Sequence, residues 1–335
     1  MSATGTPLAG RDSSTISVTI GGGSQESGDE PRQQPSSKTL PEASGGSSSK
    51  DSSLEFDGLI DLKSLSFNTV DGFVAGTAMS LSTKSGGQGR FTLAPSVKYA
   101  FSRQSLMWNV SANLLYDPYR SGNIYLRAGS LSDEFSPSGV NPLVNTVSSL
   151  FFRENWMKLY SSKFLIAGHR GDLANGLNLE VSAMYEKRDP LDNNTSFSFF
   201  RRDYPYSVNA PDNAYLTGEV EGYEPLTLFS HSNLSLTTGL AWTPRQRYRL
   251  SGGAKIYAGS DYPTFKITWK HGYNYNDTLA GNFDMLMGEI FRTSSFGPLN
   301  EFQWHIRGGG FFNSHNVEAA GYALVQHPGQ PCPDE

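Results

Sequence analysis

Six histidines (His169, His231, His271, His305, His315 and His327) are the residues of this 335-residue chain best suited to hold a metal or carry a proton. Their spacing does neither job: none stands in an HExxH arrangement, and the rest are scattered. The single cysteine, Cys332, excludes an intramolecular disulfide framework and a Cys-based zinc site. Serines are abundant, but no GxSxG elbow is present to expose one as a nucleophile. Arg170-Gly171-Asp172 spells an adhesion tripeptide, a match short enough to arise by chance. Thr243 to Arg249, TPRQRYR, is a basic cluster suited to lipid phosphates or lipopolysaccharide, or simply to a solvated loop beside a membrane interface. No pair among the remaining charged residues has a spacing that forces general acid–base geometry. No catalytic residue, metal ligand or cofactor is therefore expected.

The elements that hold these residues are strands. From Phe91 to Phe101 the odd positions are apolar (Phe91, Leu93, Pro95, Val97, Tyr99, Phe101), and the residues between are small or polar. After the polar link Ser102 to Ser105, Trp108, Val110, Ala112, Leu114 and Tyr116 alternate with Asn109, Ser111 and Asn113. Period two makes a strand with one apolar and one wet face, and the pair reads as a β-hairpin. Aromatics stand at both ends of the apolar face. Ten steps tilted as barrel strands are would rise roughly 26 Å, the height of the apolar band of an outer-membrane barrel. One wall of a soluble β-sandwich alternates equally well, so the hairpin alone leaves both readings open.

The pattern recurs at Phe73–Leu81, Leu177–Tyr185, Leu234–Trp242, Phe265–Trp269 and Glu301–Phe312. Roughly ten to twelve strands are expected, several longer than a sandwich normally uses. Asn175-Gly176 and Gly252-Gly253 supply turn signals, and no segment shows helical periodicity. Glycine at 35 residues, aromatics at 12% and charged residues at 18% suit an all-β chain rich in turns. No apolar run is long enough for a transmembrane helix. A net charge of -5 argues against an electrostatic nucleic-acid binder. The start of the chain has no basic stretch followed by an apolar one, hence no secretory signal peptide.

Three regions follow. Residues 1–53 are rich in Ser, Gly, Pro and Gln and are expected to be disordered. Residues 54–316 carry the strands, and residues 317–335 form an irregular tail. The expected fold is an all-β, antiparallel, up-and-down transmembrane β-barrel, incomplete at its end. Lys98, Asn109, Asn113, Arg127, His169, Glu180, Lys266, Lys270, Glu301, His305 and Arg307 are expected to face the lumen, with Glu186 and Glu289 completing an ion-pair network. Phe91, Phe101, Trp108, Tyr116, Trp242, Trp269 and Trp304 are expected in the lipid-facing aromatic girdles.

The blocks FDGLIDLKSLSFNTVDGFVAG, YAFSRQSLMWNVSANLLYDP, NTVSSLFFRENWMKLYSSKF, LANGLNLEVSAMYEKRDPLDNNTSFSFF, AWTPRQRYRL, DYPTFKITWKHG and EFQWHIRGGGFFN, in order from about Phe56 to Asn316, resemble a known family. It comprises large outer-membrane barrel proteins of Bacteroidetes, of unknown function, that carry a carboxypeptidase-regulatory-like domain. The resemblance implies a precursor with a signal peptide, an N-terminal β-sandwich module and a C-terminal membrane barrel. It implies residence in the outer membrane of a Gram-negative bacterium, with lipid, lipopolysaccharide and the barrel-assembly machinery as partners. It brings no catalytic residues. The chain departs from the family at both ends: the signal peptide and module are absent, as is the aromatic-ended final strand. A fragment or mis-bounded reading frame is the expectation.

The expected function is thus a non-enzymatic outer-membrane barrel acting in transport, envelope assembly or surface interaction. A soluble or surface-exposed β-structured binding protein, whose apolar faces meet each other, is the alternative. A barrel enzyme of the phospholipase type is the second alternative, drawing on His169 or His305.

Overall fold

The computed structural model describes residues 14–22, 47–49, 52–58, 65–85, 89–135, 139–210, 230–273, 282–296 and 300–315. The strands in chain order are β1 (Ser14–Gly22), β2 (Ser47–Ser49), β3 (Ser52–Phe56), β4 (Ser66–Asn68), β5 (Gly72–Ser85), β6 (Gly89–Ala100), β7 (Ser105–Asp117) and β8 (Gly122–Glu134). They continue with β9 (Leu159–Ala174), β10 (Leu177–Pro190), β11 (His231–Trp242), β12 (Tyr248–Ser251), β13 (Ala254–Tyr257), β14 (Thr264–Tyr273), β15 (Asn282–Phe296) and β16 (Asn300–His315). All but β12 and β13 join one 14-stranded sheet, in the order β1-β16-β15-β14-β11-β10-β9-β8-β7-β6-β5-β3-β2, with β4 also on β5. Every pairing is antiparallel. The chain is all-β, with an up-and-down order from β5 to β11. Among the described residues the sheet is open, with β1 and β2 at its edges.

The hairpin read from the alternation is β6–β7. Val97 lies opposite Trp108, Leu93 opposite Ala112 and Phe91 opposite Leu114. The chain reverses through Phe101–Gln104, where Gln104 takes φ 52°. Asn175-Gly176 turns β9 into β10, and Gly252-Gly253 turns β12 into β13 with φ 56° and 80°. Two successive positive φ angles are what a tight hairpin turn needs and what glycine adopts without strain.

Two regions differ from expectation. Within residues 1–53, where composition predicts disorder, β1 pairs with β16 along nine positions, from Ser14 opposite Gly310 to Gly22 opposite Phe302. Its sequence STISVTIGG alternates β-branched residues with Ser and Thr, a local strand signal that the average over the region conceals. A helix also forms where none is expected: α1 (Pro142–Val147), followed by a π-helical turn at Ser148–Phe152. Asn141 caps α1, its Oδ1 accepting from the Leu143 and Val144 amides at 2.9 and 3.4 Å, and Pro142 takes the first helical position. Six residues are too few to show a 3.6-residue period.

The two ends of the sheet are unlike. The β7–β8 and β9–β10 links lie at one end, the turn end, together with the β12–β13 hairpin and the last residues of β5 and β15. At the other, the cap end, lie β4, α1, the π-turn and the irregular segment after β10.

Candidate functional site

Register divides the sheet into two faces of opposite character. Through cross-strand pairs, Phe91, Trp108, Leu126, Leu165, Tyr185, Trp242, Ile267, Leu286 and Ile306 fall on one face. That face is the open one. Val97, Leu106, Trp108, Tyr116, Ile124, Leu126, Leu165, Tyr185, Trp242, Ile267, Leu286 and Ile306 are all between 40% and 59% exposed. The opposite face buries Met107, Tyr160, Ser162, Glu186, Ser235, Thr268, Phe283, Met285 and Met287. The sheet therefore carries most of its large apolar side chains on the exposed, outer face and most of its ion pairs on the buried, inner one.

The inner face is built from ion pairs and hydrogen bonds that run across strands. Glu289 of β15 is a hub: its carboxylate lies 3.5 Å from Lys266 Nζ, 2.9 Å from His305 Nε2 and 3.9 Å from Arg307 Nε. Glu186 of β10 is a second hub, 2.8 Å from Arg188 Nη2 and accepting from Ser162 Oγ at 2.6 Å. Arg188 also sits over the Tyr160 ring at 4.6 Å. Lys270 lies within electrostatic reach of this pair. Tyr125 donates to Glu180 at 3.1 Å, Arg127 stands over Phe164, and Asn123 donates to Asn113 at 2.9 Å. Gly168 faces Tyr125 and Gly272 faces Phe283 in register, each leaving room for a ring that a Cβ would strike.

Of the residues expected to line a lumen, Lys98, Asn109, Asn113, Arg127, Glu180, Lys266, Lys270, His305 and Arg307 share this inner face. Glu301 lies in β16 opposite Ser295. His169 is the correction. It pairs with Ile124 and Val181 on the outer face, stacks on Tyr116 at 5.9 Å and meets the Tyr116 hydroxyl through Nε2 at 2.8 Å. Both faces of β9 mix apolar and polar residues, so only the register of its neighbours decides the side. Among the girdle residues, Phe91, Trp108, Tyr116, Trp242, Trp269 and Trp304 lie on the outer face, and Phe101 stands in the β6–β7 turn against Tyr99 at 5.1 Å. Trp269 donates to Asp284 at 3.1 Å, and Asp284 holds His271 Nδ1 at 2.6 Å. This pair lies toward the cap end of its strands and His169 toward the turn end.

At the turn end, the β12–β13 hairpin is latched to β9. Asp172 receives the Tyr257 hydroxyl and Lys255 Nζ, while Asn178 and Ser121 donate to it at 3.3 and 3.5 Å. The Lys255 ammonium stands over the rings of Tyr119, Tyr248 and Tyr257. Burial and then the hydrogen bond to Asp172 hold the Tyr257 phenol above its ordinary pKa. The Asp of the adhesion tripeptide is thus sealed in the fold. The nearby basic cluster is spread out: Arg247 pairs with Asp261 at 3.0 Å and Arg245 stacks on Tyr262 at 5.4 Å.

At the cap end, sequence reasoning missed a buried polar core. Asn145 Oδ1 accepts from the Trp156 and Met157 amides at 2.9 and 3.2 Å, while its Nδ2 donates to Asn155 Oδ1 at 2.8 Å. Asn155 donates on to Thr69 Oγ1 at 2.8 Å, and Thr69 to Asn193 at 2.6 Å. Asp71 accepts from Arg103 at 2.7 Å and from Ser132 at 2.9 Å. Arg153, at φ 59°, donates to the Arg202 and Ser196 carbonyls at 2.5 and 3.1 Å, tying the segment after β10 to the π-turn. Burial raises the pKa of Tyr206, whose hydroxyl donates to the Ser149 carbonyl at 2.6 Å. A density of Asn, Ser and Thr around FRENW was the available signal.

Among the described residues no group of three or more His, Cys, Asp or Glu is placed to hold a metal ion. Among the described residues no helix is long and apolar enough to cross a membrane, which says nothing of strands. A family model described as the C-terminal domain of a family of unknown function, DUF5686, matches residues 42–327. No curated protein and no solved structure matches the chain.

Proposed function

We propose, for a chain that belongs to the DUF5686 family and carries its C-terminal domain, that this sheet is the wall of a bacterial outer-membrane β-barrel without enzymatic chemistry. The observation that carries the reading is the inverted sheet. Its outer side chains, half exposed from Val97 to Ile306, together present on the order of 1,000 Å² of apolar surface, more than monomers in water normally leave open. A hydrocarbon surrounding makes that face stable and requires the ion pairs to point inward, as Glu289 and Glu186 do. Strands of 12 to 16 residues from β6 to β11 exceed the length needed to cross a bilayer. The Bacteroidetes origin, the companion regulatory-like module and a role in transport, envelope assembly or surface interaction belong to this proposal.

The cap end carries the long connections and is assigned to the outside, the turn end to the periplasm. The test is depth. Variants retaining Trp108 or Trp242 alone should be quenched by brominated acyl chains in vesicles and shielded from aqueous acrylamide. Quenching by acrylamide alone would overturn the membrane assignment in favour of a soluble β-structured binding protein.

A further inference from the structure

The cap shows much of its apolar surface. Helix α1 and the π-turn bury Asn145, Ser148 and Ser149 with Leu150, while Leu143 is 69% exposed, Phe152 55% and Trp156 53%. A short helix that hides its amides and shows its leucine is oriented for a non-aqueous neighbour. The exposure is held in place: the Asn145–Asn155–Thr69 chain and the Arg153 bonds to the Ser196 and Arg202 carbonyls fix these segments.

The aromatic surface continues across the cap. Phe151 packs on Phe199 and Phe200 at 5.6 and 5.7 Å, and Phe199 on Phe197 at 5.4 Å. Phe197 then meets Phe73 of β5 at 6.1 Å, which stands on the outer face of the sheet. The apolar band of the wall thus runs without a break onto the cap. At its far side stand Arg201 and Arg202, both exposed. Arg201 is stacked on Tyr204 at 4.9 Å, and Arg202 Nε donates to the Ser198 carbonyl at 3.3 Å. Among the described residues neither arginine has an ion-pair partner, although Asp203 follows them directly in the chain and is exposed.

We infer that the cap is a monotopic membrane contact: Phe151, Phe152, Trp156, Phe199 and Phe200 lie in the headgroup region of the leaflet around the wall, and Arg201 and Arg202 hold phosphate-bearing lipid headgroups. Aromatics at headgroup depth flanked by arginine are the chemistry of that layer. Lipid fits better than a protein partner because the patch is continuous with the lipid face of the sheet. The inference rests on the membrane reading above and goes beyond it, since a barrel spans without a fat-soluble cap.

The experiment uses the full chain in two single-tryptophan variants, one retaining Trp108 and one Trp156, in phosphatidylcholine vesicles with and without phosphatidylglycerol. Lipids brominated near the headgroup should quench Trp156, and R201Q/R202Q should remove the stronger quenching that phosphatidylglycerol brings, a change of up to about fivefold per arginine. Trp108 quenched by bromolipid while Trp156 responds only to acrylamide would overturn the cap contact and leave the wall standing. Trp156 shielded from both quenchers would also overturn it, in favour of a protein partner or a second copy. Trp108 quenched by acrylamide alone would sink the membrane reading itself. Because Arg202 engages Arg153 through its backbone carbonyl, the double variant keeps that tie and gives up only the Arg202 side-chain bond to the Ser198 carbonyl.

Discussion

Lys255 Nζ lies 3.4 Å from Asp172 Oδ2, with both side chains almost wholly buried at the turn end. Removing one partner strands the other without solvent, which costs roughly 3–5 kcal/mol. K255M should therefore free the β12–β13 hairpin while leaving β9 and β10 paired. Amide exchange should show lost protection at Tyr248–Tyr257 alone, and D172N should do the same.

Tyr257 donates its hydroxyl to Asp172, and its pKa is raised in the folded state, chiefly by burial. A group held protonated stabilises fully below its unfolded pKa, about 10 for tyrosine, and that share is lost as pH rises toward the folded value. Hairpin protection should thus be flat from pH 7 to 9 and fall above 10. Y257F should lower protection at neutral pH and show a shallower fall in alkali, measured by exchange-rate profiles corrected for intrinsic rates.

Gly168 leaves room for the Tyr125 ring, whose hydroxyl reaches Glu180. G168A forces ring and methyl together and should destabilise the sheet by about 1–3 kcal/mol. G168A combined with Y125A should recover part of that loss in urea unfolding from detergent micelles. Strict additivity of the two changes would show that they do not meet.

Glu289 meets Lys266, Arg307 and the His305 ring in a setting where its side chain is only 10% exposed. E289A should cost on the order of 3 kcal/mol, because Lys266 and Arg307 are left facing each other. K266M should cost less, since Glu289 retains His305 and Arg307. Equal losses from the two variants would argue against a hub.

Asn145 joins α1 to the Asn155–Met157 segment through both ends of its amide. N145A leaves two backbone donors unsatisfied and should open the cap locally by about 2–4 kcal/mol. Proteolysis near Phe151 and Arg201 should rise while the strands stay protected.

These relationships were unequally legible in the sequence. Strict alternation identified β6, β7, β10, β11 and β14, because an apolar residue at every second position matches the pleat of a strand and no helical period. Asn175-Gly176 and Gly252-Gly253 marked their turns for the same local reason. The side taken by His169 was hidden, since Leu165, Ala167 and His169 alternate with Ile166 and Gly168 and neither set is clearly wet. The cap was hidden more deeply: its order comes from side-chain amides and hydroxyls meeting backbone across gaps such as Thr69 to Asn193, which leave no period to count. Ion-pair hubs were visible as charges on inner positions but not as partners, because Glu289 meets Lys266 and Arg307 only through the register of two different strands.

The order of strands in the sheet has a temporal meaning. From β5 to β11 each strand lies beside the one made just before it, with short turns at β6–β7, β7–β8 and β9–β10 and long connections only at β8–β9 and β10–β11, so most of the wall can grow hairpin after hairpin. The β1–β16 pairing is the opposite case, joining the first described strand to the last and placing Ser14 against Gly310. It closes the longest loop among the described strands, which makes it slow to form.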